Sequence, residues 1–283
     1  MLSLLLPLLG VLLALFATYQ LTYRRLAVRA IADGDRLWRT ARGSRVAERA
    51  LSVARAHTQT GVVQIRVLAD WETQALTIAG QGGERLLLSS GAVATLPPTA
   101  LAALIVHELG HIRHRHIEHE LRDRATRLAT VGAATVVLAF EPLLGIVAIL
   151  TVAVVGELLL QAELRRHERE ADAFARQCGV GSALARALEL ADRRDQQLIE
   201  LTILLAATQH RPELGVKAIV RPIEQAWGGV APDRATLTRW VGSLRRIAGP
   251  VQLPRRRHRY DGLHEIHDPV VIRARRLRTT ARG

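Results

Sequence analysis

Two histidines four residues apart, His107 and His111, constrain this chain more than any other feature of its sequence. They stand with Glu108 in the stretch His-Glu-Leu-Gly-His, inside an apolar segment of helical periodicity that follows Pro97-Pro98. On a helix, residues i and i+4 lie one above the other on the same face, so both imidazoles can reach one metal ion. The spacing therefore predicts a buried helix with a zinc site and with Glu108 as a general base. The alternative is the polar face of a solvated helix.

Length and charge narrow the class of protein. The chain has 283 residues, enough for one large domain or two small ones, and a formal net charge of +13. A basic excess suits nucleic acid or an anionic membrane surface. We find no nucleic-acid-binding signature but do find long apolar runs, so we expect a lipid bilayer as partner and no nucleic acid. Cys178 is the only cysteine, which excludes an internal disulfide.

The N-terminal run at residues 2–23 carries no charge and is long enough to span a bilayer. Arg24, Arg25 and Arg29 follow at once, and basic residues favour the cytoplasmic side of a membrane. We therefore predict a transmembrane anchor at residues 1–23 with its N-terminus outside. A cleaved signal peptide is the alternative, but it would normally begin with basic residues.

The next segments are predicted to be helical and then stranded. Residues 27–57 interleave arginines with apolar residues, which is typical of an amphipathic helix near a membrane or of an ordinary solvated helix. Residues 62–68, 74–79 and 85–89 predict the strands of a small antiparallel sheet ahead of the zinc helix. Its edge could hold an extended peptide by strand addition, or the sheet could be purely structural.

A second apolar run, Leu128–Leu160, is broken only by Glu141-Pro142. It predicts two short helices in a membrane hairpin at 127–161, with a tilted or re-entrant hairpin and a soluble buried hairpin as alternatives. Glu157 near its end must reach the surface, pair or face the protein interior. A hairpin crosses the membrane an even number of times, so it would return the chain to the side of the zinc helix.

The candidate third ligand follows this hairpin. Glu168 and Asp172 are four residues apart and share a helical face. Glu168 can complete the two-histidine set and leave a fourth position for water, and Asp172 can accept the free ring N–H of a ligand histidine. The alternative is a salt-bridged surface helix. We expect the zinc helix to run on through His119. His114 then lies on the same face as His107 and His111, one turn further, where a third histidine would reach past a tetrahedral ion, so it is a weaker candidate ligand.

These residues resemble those of the integral-membrane zinc metallopeptidases typified by HtpX and the CAAX prenyl proteases. The resemblance covers about residues 62–273 and rests on three motifs. These are Ser90-Gly91-Ala92-Val93 leading into Leu101–His116, Glu168-Arg169-Glu170-Ala171-Asp172, and His267-Asp268-Pro269-Val270-Val271-Ile272-Arg273. The third departs from the family pattern because Asp268 stands where the first proline is usual.

The resemblance implies a gluzincin-type fold with one Zn²⁺ ion. His107, His111 and Glu168 would be its ligands, and Glu108 would be the base. His267 and Arg273 would stabilise the transition state or bind substrate carbonyls. Gln74 and Ala75 stand where an Asn-Ala pair often begins the family's substrate-binding edge strand.

We therefore expect a mostly α fold with a small antiparallel β-sheet, embedded in a membrane, with a metallopeptidase domain at 24–283. The expected function is zinc-dependent endopeptidase action on membrane-associated or misfolded polypeptides. We expect the chain to cross a bacterial-type inner membrane several times, with its catalytic domain at the cytoplasmic face. The alternatives are an antibiotic-sensor-type signalling protease that cleaves a repressor, and a catalytically silent membrane scaffold. The retained Glu108 argues against a scaffold, because a purely structural zinc site needs no base.

Overall fold

The structure is a computed structural model that describes residues 2–58, 63–140, 142–208, 231–248 and 270–279. Most of these residues are helical, as the sequence predicts. The helices are α1 (Leu2–Thr40), α2 (Arg45–His57), α3 (Ser90–Thr95), α4 (Pro98–Arg113), α5 (His116–Phe140), α6 (Pro142–Gln177), α7 (Gly181–Thr208), α8 (Arg234–Ala248) and α9 (Val270–Thr279). The strands are β1 (Ile65–Leu68), β2 (Ala75–Gly80) and β3 (Gly83–Ser89).

The N-terminal segment forms one continuous helix. α1 runs through the segment predicted as an anchor and on to Thr40, so the region predicted to be amphipathic is divided between α1 and α2. α1 packs against α5 and against β2. Gly34 makes the second contact close, because a Cβ at this position would overlap the carbonyl oxygen of Ala79. α1 therefore covers the far end of β2.

α5 and α6 form the expected helical hairpin, but they are longer than predicted. They extend to 25 and 36 residues because each continues beyond the apolar run into polar sequence. The side chain of Arg127 lies beside Gly156, and these two residues stand at matching distances from the chain reversal, as antiparallel helices require. Within the residues that the structure describes, no helix combines the length and the apolar character needed to cross a membrane.

The sheet has three strands in the order β1-β3-β2. β2 pairs with β3 in antiparallel register, but β1 pairs with β3 in parallel, so the prediction of a wholly antiparallel sheet is wrong. The reason is that β3 lies between β1 and β2, which are adjacent in sequence. Leu86, Leu87 and Leu88 of β3 are each 1% exposed, as expected of a central strand buried on both faces. β2 remains at the edge of the sheet.

The core surrounds α4. This helix packs against α2, α6 and α7, and its residues Leu101, Ile105 and Leu109 are fully buried. Gly110 allows the closest approach to α6, since a Cβ there would lie 3.0 Å from the Cα of Ala171. The surroundings of α4 therefore fix both its rotation and its distance from α6.

Candidate metal centre and active site

α4 presents the paired histidines from inside the core. It begins with Pro98 after an extended Pro97, a position where the absent N–H of proline costs nothing. His107 and Glu108 are 4% and 8% exposed. The helix ends at Arg113, and Arg115 adopts φ 53° before α5 starts, so the prediction of a helix continuing through His119 is wrong.

Three donor atoms converge beside α4. The Nε2 atoms of His107 and His111 lie 3.2 Å apart. Nε2 of His107 lies 3.5 Å from Oε2 of Glu168 on α6, and Nε2 of His111 lies 3.5 Å from Oε1 of the same carboxylate. A tetrahedral site with zinc–nitrogen bonds of about 2.0–2.1 Å has ligand atoms about 3.3 Å apart. We call these three side chains the donor triangle. The separations between its donor groups are close to this value, so the set fits a zinc ion with one position left for a further ligand.

Asp172 supports the first histidine. Its Oδ1 atom lies 3.1 Å from Nδ1 of His107, on the side of the ring opposite to the ligand nitrogen. Burial favours the neutral acid, but His107 and Arg273 hold the pKa of Asp172 below its ordinary value. A charged carboxylate at this point fixes the orientation of the ring, which is the placement that the sequence suggested.

Arg273, on α9, joins the two carboxylates of α6. Its Nε and Nη2 atoms donate to the two oxygens of Asp172 at 3.0 and 2.7 Å, and its Nη1 atom lies 3.1 Å from Glu168. The side chain is 5% exposed. Arg273 therefore lies within the site and neutralises part of its negative charge, while the other residue of the third motif, His267, lies outside the described residues.

Glu108 lies beside the three donors and is held by the sheet. Its Oε2 atom accepts a hydrogen bond of 2.9 Å from the hydroxyl of Thr77 on β2. The donor atoms of His107, Glu108 and His111 all lie within 4.8 Å of one another, a looser grouping than the triangle that contains Glu168. Burial raises the pKa of Glu108, which favours a group that accepts and returns a proton.

The pKa values of the two histidines shift in opposite directions. Burial lowers the pKa of His107, but Asp172 and Glu168 outweigh it and raise the pKa overall. Burial and the charge of His107 both lower the pKa of His111. His107 therefore holds a proton more readily than His111 does. A cation bound at the two Nε2 atoms would require both of them to be free of protons.

His111 has a partner of its own that sequence reasoning missed. Its Nδ1 atom lies 2.7 Å from Nδ1 of His116, and Nε2 of His116 lies 3.1 Å from Oε2 of Glu170. On an uninterrupted helix, a residue five positions beyond His111 would point about 140° away from it. The helix break at Arg115 turns His116 back towards the site. The sequence does not indicate this break, because arginine is not a residue type that usually marks a positive φ.

Thr77 was missed for a different reason. Its side chain lies on an edge strand whose register was not predicted, so nothing connected it to Glu108. In contrast, Gln74 and Ala75 were predicted to bind substrate, and both line the cleft described next. The side-chain nitrogen of Gln74 donates to Asp70 at 2.5 Å, so this amide also holds the turn before β2.

A cleft of about 520 Å³ opens over the metal-binding residues. Residues 73–77 form one wall, and α4, α6 and α7 supply most of the rest. The N–H of Ser89 donates to the carbonyl of Gln74, so these two residues form a hydrogen-bonded pair, and every second residue of β2 after Gln74 also faces β3. The backbone groups of Ala75 and Thr77 therefore point away from β3, at the edge that borders the cleft.

Comparison with known proteins agrees with the metal site. No curated protein and no solved structure matches the chain. The family model described as Peptidase family M48 matches residues 38–279, a span that contains every residue of the site described above. This confirms the resemblance seen in the motifs: the chain belongs to peptidase family M48, a family of metallopeptidases.

Proposed function

We propose that this protein is a zinc-dependent endopeptidase that cleaves membrane-associated or misfolded polypeptides. The observation that carries the proposal is the donor triangle of His107, His111 and Glu168, in which the two Nε2 atoms lie 3.2 Å apart and each lies 3.5 Å from one of the two Glu168 oxygens. A carboxylate that is not needed in this triangle, Glu108, stands beside it with a raised pKa. A structural zinc site uses four protein ligands, whereas a catalytic site leaves one position open.

The chain's own residues divide the work of hydrolysis. When bound, zinc would supply the positive charge that polarises the scissile carbonyl and makes water more acidic. Glu108 accepts the proton of the attacking water and returns it to the leaving amine. The Thr77 hydroxyl holds the Glu108 carboxylate in place at 2.9 Å. Arg273 holds Glu168 and Asp172, and His267 stays a predicted stabiliser of the transition state.

The edge of β2 is the proposed site for the substrate backbone. An extended peptide could pair with the outward-facing groups of Ala75 and Thr77, which border the cleft. The close contact of Gly34 with Ala79 limits this pairing, because α1 occupies the edge at that point. Only a short extended segment can therefore lie against the strand, which favours unfolded chains over folded ones.

Loss of the base with retention of the metal tests the proposed chemistry. Glu108→Gln keeps the size of the side chain but cannot accept a proton, so cleavage of unfolded casein should fall by at least about 100-fold. Zinc content should stay at that of the wild type. The control is Glu118→Gln, which removes a carboxylate from an ion pair with Arg122 on the outer part of α5. Cleavage that survives in Glu108→Gln would refute the assignment of the base.

Membrane association rests on a separate observation, the exposed apolar side chains of the hairpin. Leu143, Leu150, Val154 and Leu159 of α6 are 60–78% exposed. Large apolar surfaces on one element mark contact with lipid or another apolar partner. We therefore propose that the hairpin and the start of α1 contact a bilayer, with the metal centre on the cytoplasmic side of a bacterial-type inner membrane.

Topology reporters test this placement. Reporters fused after Arg29 and after Gly283 should both give a cytoplasmic signal, since α1 and α9 adjoin the domain that holds the metal centre. An external signal from either fusion would refute the proposed orientation. Recovery of the whole protein in the soluble fraction would refute the membrane contact but not the chemistry of the site.

A further inference from the structure

His116, the first residue of α5, contacts a residue of the metal centre from outside the donor triangle. It is 5% exposed and lies between His111 and Glu170 in an unbroken line of contacts at 2.7 and 3.1 Å. Its ring stacks on that of His167, with centroids 4.1 Å apart and planes 11° from parallel. The ring is therefore held in position on two sides.

We propose that His116 and Glu170 are positioning residues that fix the tautomer of His111 which offers Nε2 to the metal. This inference rests on the proposed zinc site. It assigns each ligand histidine its own carboxylate. Asp172 lies against His107 directly, and Glu170 acts on His111 through the intervening ring of His116.

The order of the protons follows from the carboxylate at the end of the line. Glu170 can only accept, so Nε2 of His116 must carry a proton towards it. A neutral His116 then has no proton on Nδ1, which makes this atom an acceptor. Nδ1 of His111 must supply the proton between the two rings. The lone pair of His111 is thereby left on Nε2, the atom that faces the donor triangle.

The opposite order fails at Glu170. If a neutral His116 donated from Nδ1, its unprotonated Nε2 would face a carboxylate oxygen at 3.1 Å with no proton between them. The proton of His111 would then sit on Nε2 and block the metal. Glu170 is itself held in place, since its other oxygen accepts from Nε of Arg166 at 2.9 Å.

The break between α4 and α5 allows His116 to contact His111. α4 ends at Arg113, Arg115 adopts φ 53°, and α5 begins at once with His116. Without the break, His116 would lie on another face of α4. The positive φ at Arg115 therefore places the His116 side chain against the ring of His111.

Three variants separate positioning from packing. His116→Asn keeps an oxygen acceptor near the position of Nδ1, whereas His116→Leu fills the space but offers no acceptor. The matched control is His119→Leu on the exposed side of α5. Zinc affinity is measured by competition with a chromogenic chelator. The visible spectrum of the cobalt(II)-substituted protein reports the geometry of the site independently of activity.

We expect His116→Leu to lose on the order of 10–100-fold in zinc affinity and to shift the cobalt spectrum, as loss of a partner behind a metal-binding histidine does. His116→Asn should stay within about threefold of the wild type, and His119→Leu should match it. Wild-type affinity in His116→Leu, or equal losses in the asparagine and leucine variants, would overturn the inference.

A second measurement remains informative if His116→Leu does not fold. Nitrogen-15 spectra of histidine-labelled wild type should show His116 protonated at Nε2 and not at Nδ1, with a mixture of tautomers in Glu170→Ala. A His116 protonated at Nδ1 in the wild type would overturn the proton order. Failure of the wild type to bind zinc at all would instead refute the proposed function.

Discussion

Replacing Gly110 with alanine tests how closely α4 and α6 must approach for the metal centre to form. A Cβ on Gly110 would lie 3.0 Å from Cα and 3.3 Å from Cβ of Ala171, and 3.2 Å from the ring of Phe174. Carbon atoms prefer separations of about 3.5–4.0 Å. The nearest obstacle is backbone, which cannot rotate aside. α6 must therefore retreat by a few tenths of an ångström at this point.

The retreat acts on the metal through Glu168, which stands three residues before Ala171 on the same helix. Each of its two oxygens lies 3.5 Å from one of the ligand nitrogens. A further separation of a few tenths of an ångström would move the Glu168 oxygens away from both nitrogens and beyond the spacing of about 3.3 Å that tetrahedral ligands need. We expect zinc affinity to fall at least about tenfold, or about 1.4 kcal/mol.

The same change has a smaller effect on folding. Overpacking costs about 1–3 kcal/mol, and alanine recovers about 1 kcal/mol of helix propensity, so the free energy of unfolding should fall by about 0–2 kcal/mol. The control is Gly242→Ala in α8, where a Cβ would meet nothing within 4 Å. That variant should gain about 1 kcal/mol and bind zinc as the wild type does.

Chelator competition gives the zinc affinity, and urea denaturation in excess chelator gives the stability without a contribution from the metal. The two quantities should change independently in Gly110→Ala, with a large loss of affinity and a modest loss of stability. A folded Gly110→Ala protein that binds zinc within twofold of the wild type would show that the helix separation does not control the site.

Two further predictions concern the base and a buried acid. Thr77→Val removes the hydroxyl that holds Glu108, so kcat should fall about tenfold with zinc content unchanged, measured by casein cleavage; an unchanged kcat would contradict this. Burial raises the pKa of Asp195 from 3.8 to about 6, so the folded protein binds its proton more tightly and loses stability as pH rises through this window. In urea denaturation, the free energy of unfolding of Asp195→Asn should therefore match that of the wild type near pH 4 and exceed it by up to about 3 kcal/mol at pH 7.5. A difference that does not change with pH would contradict the raised pKa of Asp195.

Local spacing accounts for the part of the site that sequence could suggest. His107 and His111 need only one turn of helix to come together, and a run of apolar residues shows that this turn is buried. Glu168 and Asp172 are related by the same spacing, so their own geometry is equally local. The family resemblance is confirmed by the match to residues 38–279. The sequence did not indicate the contact of His111 with His116, which depends on where α4 ends, or the contact of Glu108 with Thr77, which depends on strand register.

The sheet shows the same limit. The three strands lie close to their predicted positions, but the prediction of an antiparallel sheet did not include their order. The run Leu86-Leu87-Leu88 contained the missing information, because a strand apolar at successive positions is buried on both faces and belongs in the centre. With β3 in the centre, β1 and β2 take opposite sides, and β1 pairs in parallel.

The hairpin shows why Glu168 reaches the histidines at all. From His116 to the end of α5 at Phe140 there are 24 steps, or about 36 Å of helix at about 1.5 Å each. From Pro142 to Glu168 there are 26 steps, or about 39 Å in return. The two arms match to within about one turn, so Glu168 returns to the level of the metal site and Glu170 to that of His116. This equality depends on both the helix break at Arg115 and the reversal before Pro142, and only the second is marked in sequence by a proline. A chain that kept every motif but lengthened one arm alone by two turns would carry its carboxylates about 11 Å away from both histidines.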